Sequence, residues 1–284
     1  NTMQKRRWTT SLLATLIVAA SGAAYAGKSL PLSVLNFDGI HMADDGFIYA
    51  AEGFRGDRLF VIAPNGQVFI QASGLAGPID IANDSAGNLY VSNFNNATVS
   101  KVTPEGVVTK FADVRPGPAG IVVDSQDNVI VSQYGEGDGD GVTVTKITPE
   151  GEVSALASGG LLQAPVATAI DDHDNVYVAN FNEGSVIKIS PDGEQEFIAR
   201  VDAPAGFAIG HMAYVDNRLF ATSIAGQKII VIRPNGRIRE RGRAIDEGRF
   251  PNGLTYDAAN NTVLFTYGFT PVSEIEQIRL RTPE

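Results

Sequence analysis

One turn recurs five times along the chain and narrows what it can fold into. Pro64-Asn65-Gly66, Pro104-Glu105-Gly106, Pro149-Glu150-Gly151, Pro191-Asp192-Gly193 and Pro234-Asn235-Gly236 lie 40, 45, 42 and 43 residues apart. The run ahead of the turn repeats with it, as Val99-Ser100-Lys101-Val102-Thr103, Val144-Thr145-Lys146-Ile147-Thr148 and Val186-Ile187-Lys188-Ile189-Ser190. Within Gly77 to Gly106, an apolar run ends at Asp84, a turn follows at Ser85-Ala86-Gly87-Asn88, and two more runs cover Leu89–Val91 and Thr98–Val102. Val107–Phe111 supplies a fourth run. Four short β-rich runs in each repeat of roughly 40 residues, separated by Gly, Asn, Asp and Pro, predict the blades of a β-propeller. Six copies fit, with inner strands starting near Phe37, Pro78, Pro118, Pro165, Gly210 and Pro251.

The sixth copy ends at Arg281-Thr282-Pro283-Glu284, in the register of the closing turn, so its outer strand is missing. Leu30–Leu35 stands just ahead of the first inner strand, where an outer strand belongs. It is predicted to complete the last blade and close the ring, which removes exposed strand edges. The expected fold is therefore all-β: one six-bladed propeller of four-stranded antiparallel blades over residues 27–284.

Residues 1–26 read differently. Lys5-Arg6-Arg7 is basic, Ser11–Ala20 is largely apolar, and Ala24-Tyr25-Ala26 is a small-x-small cleavage signal before Gly27. This is the pattern of a secretory signal peptide, with Asn1 and Thr2 preceding the initiator Met3; a periplasmic or secreted protein is expected. Without the leader, 19 Lys and Arg face 32 Asp and Glu, a net charge of −13. Such a surface does not attract nucleic acid or anionic membrane and suits neutral or cationic ligands, or a partner protein of the cell envelope. With no Cys, the ring carries no disulfides. Asp84, Asp124, Asp171, Asp216 and Asp257 recur where the inner strand ends, and are expected to accept backbone hydrogen bonds in turns.

In a propeller the loops leading into the inner strands, and those joining second to third strands, open on one face around the central channel, the default position for a concave site. The inner strands start with Phe37-Asp38-Gly39, Pro78-Ile79-Asp80, Pro118-Ala119-Gly120, Pro165-Val166-Ala167, Gly210-His211-Met212 and Pro251-Asn252-Gly253. Asp38, Asp80, His211 and Asn252 are polar where the other blades are apolar, and polar groups in that crowded position need partners. A carboxylate, amide and imidazole set is one that could share a divalent cation, Ca²⁺ foremost, with Mg²⁺, Mn²⁺ or Zn²⁺ as alternatives. The second strands end at Glu52, Asn93, Gln133, Asn180, Thr222 and Thr266. Asn93, Gln133 and Asn180 with the aromatics that follow them, Phe94, Tyr134 and Phe181, form a candidate substrate-binding rim, and Glu52 stands out by its charge. The acidic Gly-rich stretch Tyr134–Gly141 is read mainly as a flexible insertion, with weak cation binding as the lesser alternative. His173 is read as a solvated turn residue, and His41 as a residue that can point into the sheet packing. Neither a G-x-S-x-G elbow nor a dinucleotide or phosphate loop is present.

The phrases Gly87-Asn88-Leu89-Tyr90-Val91-Ser92-Asn93-Phe94 and Asp174-Asn175-Val176-Tyr177-Val178-Ala179-Asn180-Phe181, each leading into a Val-x-Lys strand and a Pro-x-Gly turn, resemble NHL repeats. Residues 30–284 as a whole resemble the NHL and SMP-30/gluconolactonase-like six-bladed propellers. That resemblance implies a divalent metal in the channel and hydrolysis of lactones or related esters. By it, Asn252 would be a metal ligand and Asp38 a ligand and general base, with Asp80 or Glu52 standing in for a Glu that the family carries in a Gly-Glu-x-Pro segment absent here. His211 is added as a catalytic candidate. Two alternatives follow from the same likeness: a non-catalytic NHL-type binding propeller, and a C–O lyase similar to the streptogramin B lyases, for which His211 and His41 are the available histidines.

Overall fold

The computed structural model describes residues 30–32, 37–202, 206–241, 245–268 and 273–280. The leader expected over residues 1–26, part of the strand expected over Leu30–Leu35, and the C-terminal residues 281–284 lie outside them. Six four-stranded antiparallel sheets stand as six blades of a propeller. Their inner strands are Ile40–Met42, Pro78–Asn83, Pro118–Val123, Pro165–Ile170, Met212–Val215 and Phe250–Asp257, within three residues of the expected starts. The blades are numbered one to six in that order. In blade six the short strand Leu30–Leu32 lies antiparallel to Ser273–Arg279, with Leu30 opposite Ile275 and Leu32 opposite Ser273. The first described strand thus finishes the last sheet, as predicted.

The blades form because their middle strands are apolar on both faces. Leu89–Asn93, Val129–Gln133 and Val176–Asn180 are buried at every residue, whereas outer strands such as Val108–Asp113 are exposed at alternate stretches. Each sheet therefore needs a neighbour on both sides. The core lies between blades. Tyr49, Leu59 and Val61 of blade one pack on Ile81, Leu89 and Val91 of blade two, and the pattern recurs around the ring. It closes where Leu264 and Ile275 of blade six meet Phe37, Ile48 and Phe60 of blade one.

Polar staples fix the spacing of the blades. The Asp124 carboxylate accepts from the backbone N–H groups of Gln126 and Asn128, the Asn128 amide and the Lys146 ammonium. Asp84 and Asp171 repeat this with Asn88 and Asn175. Between blades, Ser85 donates its N–H and hydroxyl to Asp127 at 2.9 and 2.6 Å, and Ser125 does the same to Asp174 at 2.9 and 2.7 Å. The turn role expected of Asp84, Asp124 and Asp171 is the one they have. Replacing Asp124 by Ala strands several buried donors, so a thermal melt should show a drop of about 5–10 °C. Asp113→Ala, which removes only the exposed pair with Lys110, should leave the melt nearly unchanged.

Candidate active site in the central channel

The starts of the inner strands bring four polar residues to the axis of the ring. Asp80, His211 and Asn252 are 8%, 5% and 8% exposed, and Asp38 keeps a partial opening to a cavity. Close backbone approach sets their positions. Gly39 donates its N–H to the carbonyl of Ile79, and a Cβ on it would come within 2.6 Å of the Asp80 carboxylate. A Cβ on Gly253 would come within 2.3 Å of the Asp38 carbonyl. The glycines that follow Asp38 and Asn252 are thus where one blade's inner strand presses on the next.

The hydrogen bonds define the chemistry. The Asn252 amide donates to Asp38 Oδ1 at 3.0 Å. The backbone carbonyl of Asn252 accepts from the Thr222 hydroxyl at 2.6 Å and lies 3.1 Å from His211 Nδ1. A carbonyl can only accept, so Nδ1 of His211 carries the hydrogen. Nε2 faces Asp80, whose Oδ1 is 3.8 Å away. Asp80 accepts backbone N–H bonds on both oxygens, from Ile81 at 2.9 Å and Ile121 at 3.1 Å. Burial pushes the carboxyls of Asp38 and Asp80 above the ordinary carboxylate range, opposed in each by the neighbouring His211.

Two cavities meet this cluster. The upper one, of about 340 Å³, is lined by Phe37, Asp38, Glu52, Phe54, Arg55 and Asn252. The lower one, of about 320 Å³, reaches Asp80 and His211 past His41, Asn83 and Thr168. His41 Nε2 lies 2.5 Å from Asn83 Oδ1, and burial lowers its pKa. The Thr168 hydroxyl is buried with no hydrogen-bond partner among the described residues. The structure places His41 on the channel rather than in the sheet packing, together with Asn83 and Thr168, which no motif in the sequence marks. The signal was the position of His41 two residues into an inner strand, where alternation returns a side chain to the channel.

The other expected site residues are engaged elsewhere, Glu52 included although it borders the upper cavity. Glu52 is held by Arg58: Oε2 accepts from the N–H groups of Asp57 and Arg58 and from Arg58 Nε, and Oε1 meets Arg58 Nη2. The Arg58 hydrogen bond holds its carboxyl below the usual range. Asn93, Gln133 and Asn180 are buried and face their own blades, bonding Ser100, Thr145 and Ser185. Of the four expected cation donors, Asp38, Asp80 and Asn252 converge and Glu52 does not. Among the described residues no three His, Asp or Glu side chains gather closely enough to hold a metal ion. With each Asp80 oxygen already accepting a backbone N–H and no third acidic or imidazole group close by among the described residues, the donor set does not fit a divalent ion unaided, and the chemistry is assigned to the side chains. His173 lies exposed in its turn, as expected.

No protein-family model and no curated protein sequence matches the chain. Solved structures do. The gluconolactonase of Xanthomonas campestris superposes with a TM-score of 0.72 at 14% identity, over 88% of this chain and 89% of that one. A catalytically inactive virginiamycin B lyase from Staphylococcus aureus, with quinupristin, gives 0.66 at 13% identity, over 88% and 99%. The aldose sugar dehydrogenase of Streptomyces coelicolor, in its PQQ-bound form, gives 0.68 at 12%, over 88% and 97%. At these identities the likeness is one of fold, and the chain is a six-bladed β-propeller.

The raised carboxyl of Asp38 has a sign that can be checked. A carboxyl that binds its proton more tightly folded than unfolded costs stability as pH rises above its ordinary value of 3.8, up to its folded value; below 3.8 both states are protonated and the cost vanishes. Asp38→Asn keeps the acceptor for Asn252 and cannot ionise. Its melting temperature should exceed that of the unaltered protein at pH 7, with the gap narrowing toward pH 4. A variant no more stable at pH 7 would mean that Asp38 carries no such strain.

Proposed function

We propose that the protein is an exported channel enzyme that cleaves a C–O bond in a small lactone or related ester by general acid–base chemistry. The observation that carries this reading is the gathering of two carboxyls, raised by burial, and one imidazole, with Asp38 lining the upper cavity and Asp80 and His211 lining the lower one. Such an arrangement is costly for a scaffold to keep, and groups so perturbed concentrate at sites of chemistry. Asp38, oriented by Asn252, faces the upper cavity and would give its proton to the oxygen that leaves the acyl carbon. His211, with its hydrogen fixed on Nδ1, would take a proton through Nε2 from the attacking water, and Asp80 would stabilise the imidazolium formed. Phe37 and Phe54 supply apolar walls for the substrate body. The leader pattern supports export to the periplasm or beyond.

The gluconolactonase and lyase structures keep both hydrolysis and elimination in view, and the products separate them: hydrolysis adds one water to the substrate, whereas elimination leaves a double bond and no mass gain. The test is turnover of a panel of lactones and esters by residues 27–284. Asp38→Asn and His211→Gln should each lower kcat/KM by about 100-fold or more while melting as folded proteins. Turnover undiminished in both variants would reject this assignment, and saturable binding without turnover would make the propeller a binding protein.

A further inference from the structure

Five aromatic rings on the upper face form an arc. Phe54 of blade one meets Phe94 of blade two at 5.5 Å between centroids, and Phe94 meets Tyr134 of blade three at 5.9 Å. Tyr134 meets Phe181 of blade four at 5.2 Å, and Phe181 meets Phe207, ahead of blade five, at 4.7 Å. The repeat builds it: Phe94, Tyr134 and Phe181 leave their second strands with their N–H groups bonded to Gly77, Gly117 and Ala164, just ahead of their own inner strands. Phe54 and Phe207 are 54% and 46% exposed, so part of each ring faces solvent.

At the middle of the arc a concavity of about 520 Å³ opens between blades two and three, walled by Phe94, Tyr134, Pro116 and Glu136. The acidic loop after Tyr134 forms one of its walls and carries its own hydrogen bonds. Glu136 donates its N–H to Asp140 Oδ1 at 2.7 Å, Gly139 to the Glu136 carbonyl at 3.0 Å and Gly141 to the Tyr134 carbonyl at 2.8 Å. Gly139 lies against the Tyr134 ring, where a Cβ would fall within 2.7 Å of it. Burial, and then the charge of Asp138, raise the Tyr134 phenol pKa, which leaves the ring neutral at physiological pH. Neither Glu136 nor Asp138 pairs with a cationic side chain among the described residues; Arg115, on an adjoining wall beside Glu136, stays outside ion-pair distance.

We infer that this concavity is a binding site for an organic ammonium cation, with Phe94 and Tyr134 presenting π faces and Glu136 countering the charge. Aromatic faces attract a poorly hydrated cation through the ring quadrupole, and a nearby carboxylate adds attraction without needing a defined coordination shell. A bare metal ion would find no such shell in one free carboxylate and two rings. The protein's net negative charge favours the approach of such a ligand. The site is separate from Asp38 and His211, so it stands or falls independently of C–O cleavage.

The test titrates residues 27–284 with choline and with its neutral isostere 3,3-dimethylbutan-1-ol, following aromatic side-chain shifts by NMR, with KCl as the charge control. Choline should bind saturably, with the shifts on Phe94 and Tyr134, and at least about 10-fold more tightly than the isostere, as a cation–π contact plus a countercharge implies. Glu136→Gln, on an exposed loop that does not support the fold, should weaken choline about 3-fold, and Tyr134→Leu about 5-fold or more, with the melt of each variant checked. Equal binding of choline and isostere would reduce the site to an apolar surface. Displacement of choline by K⁺ at equal ionic strength would reduce it to bulk charge. Absence of saturable binding would also overturn the inference. Loss of lactone turnover leaves it untouched.

Discussion

Each blade of this propeller buries both faces of its middle strands, and that requirement organises the rest of the molecule. A sheet such as blade three has cores with blade two on one side and blade four on the other, so no blade stands alone. A linear array would leave an apolar face bare at each end. The ring escapes this by packing blade six on blade one and by drawing Leu30–Leu32 into the final sheet. Closure also fixes the channel radius, because it presses the inner strands together until one blade's glycine meets its neighbour's carboxylate or carbonyl. The cluster of Asp38, Asp80, His211 and Asn252 follows from that crowding: residues 214 apart in the chain, Asp38 and Asn252, become hydrogen-bonded neighbours only because the ring is closed.

That dependence ties stability to function. Hydrophobic packing between blades supplies a rigid frame, and rigidity lets the centre hold polar groups in an environment that opposes their ionisation. The frame is reinforced by a polar network far from the axis, where Asp84, Asp124 and Asp171 collect backbone and side-chain donors. The same residue type thus does opposite things at two radii. At the turn it accepts four or more hydrogen bonds and holds the blade together; at the axis Asp38 accepts one from Asn252 and is left to titrate.

The fold was legible in the sequence because the repeat is periodic and its punctuation is chemical. Pro-x-Gly turns, Asp at inner-strand ends and β-branched runs each have one local reading, and all agree. The channel residues were legible for a related reason: Asp38, His211 and Asn252 break a position that elsewhere holds Ile79, Ala119 or Val166, and Asp80 stands one residue further on, where the next two blades hold Gly120 and Ala167. Legibility failed where partners are local in space but ambiguous in sequence. Glu52 looked like a charge without a mate, yet Arg58, across a tight loop, takes both its oxygens. Asn93 and Asn180 looked like a rim, yet they bond hydroxyls of the adjoining third strand, so the repetition of Asn-Phe marks a building rule for the asparagine and a surface role for the aromatic. The spacing marked Phe94, Tyr134 and Phe181 as a rim, but the ring-to-ring contacts that join them to Phe54 and Phe207 need the angle between blades.

The account rests most heavily on the claim that the ring holds carboxyls at its axis against their tendency to ionise. The direct measurement is a pH titration of the aspartate side-chain carboxyl carbons by NMR, in protein carrying ¹³C-labelled aspartate, with Asp38→Asn and Asp80→Asn used to assign the two signals. The account predicts that Asp38 and Asp80 titrate above the ordinary 3.8, while Asp84, Asp124 and Asp171 titrate below it. Two axial signals at or below 3.8 would show that the channel solvates or pairs these groups fully, and would contradict the acid–base centre on which the functional reading stands.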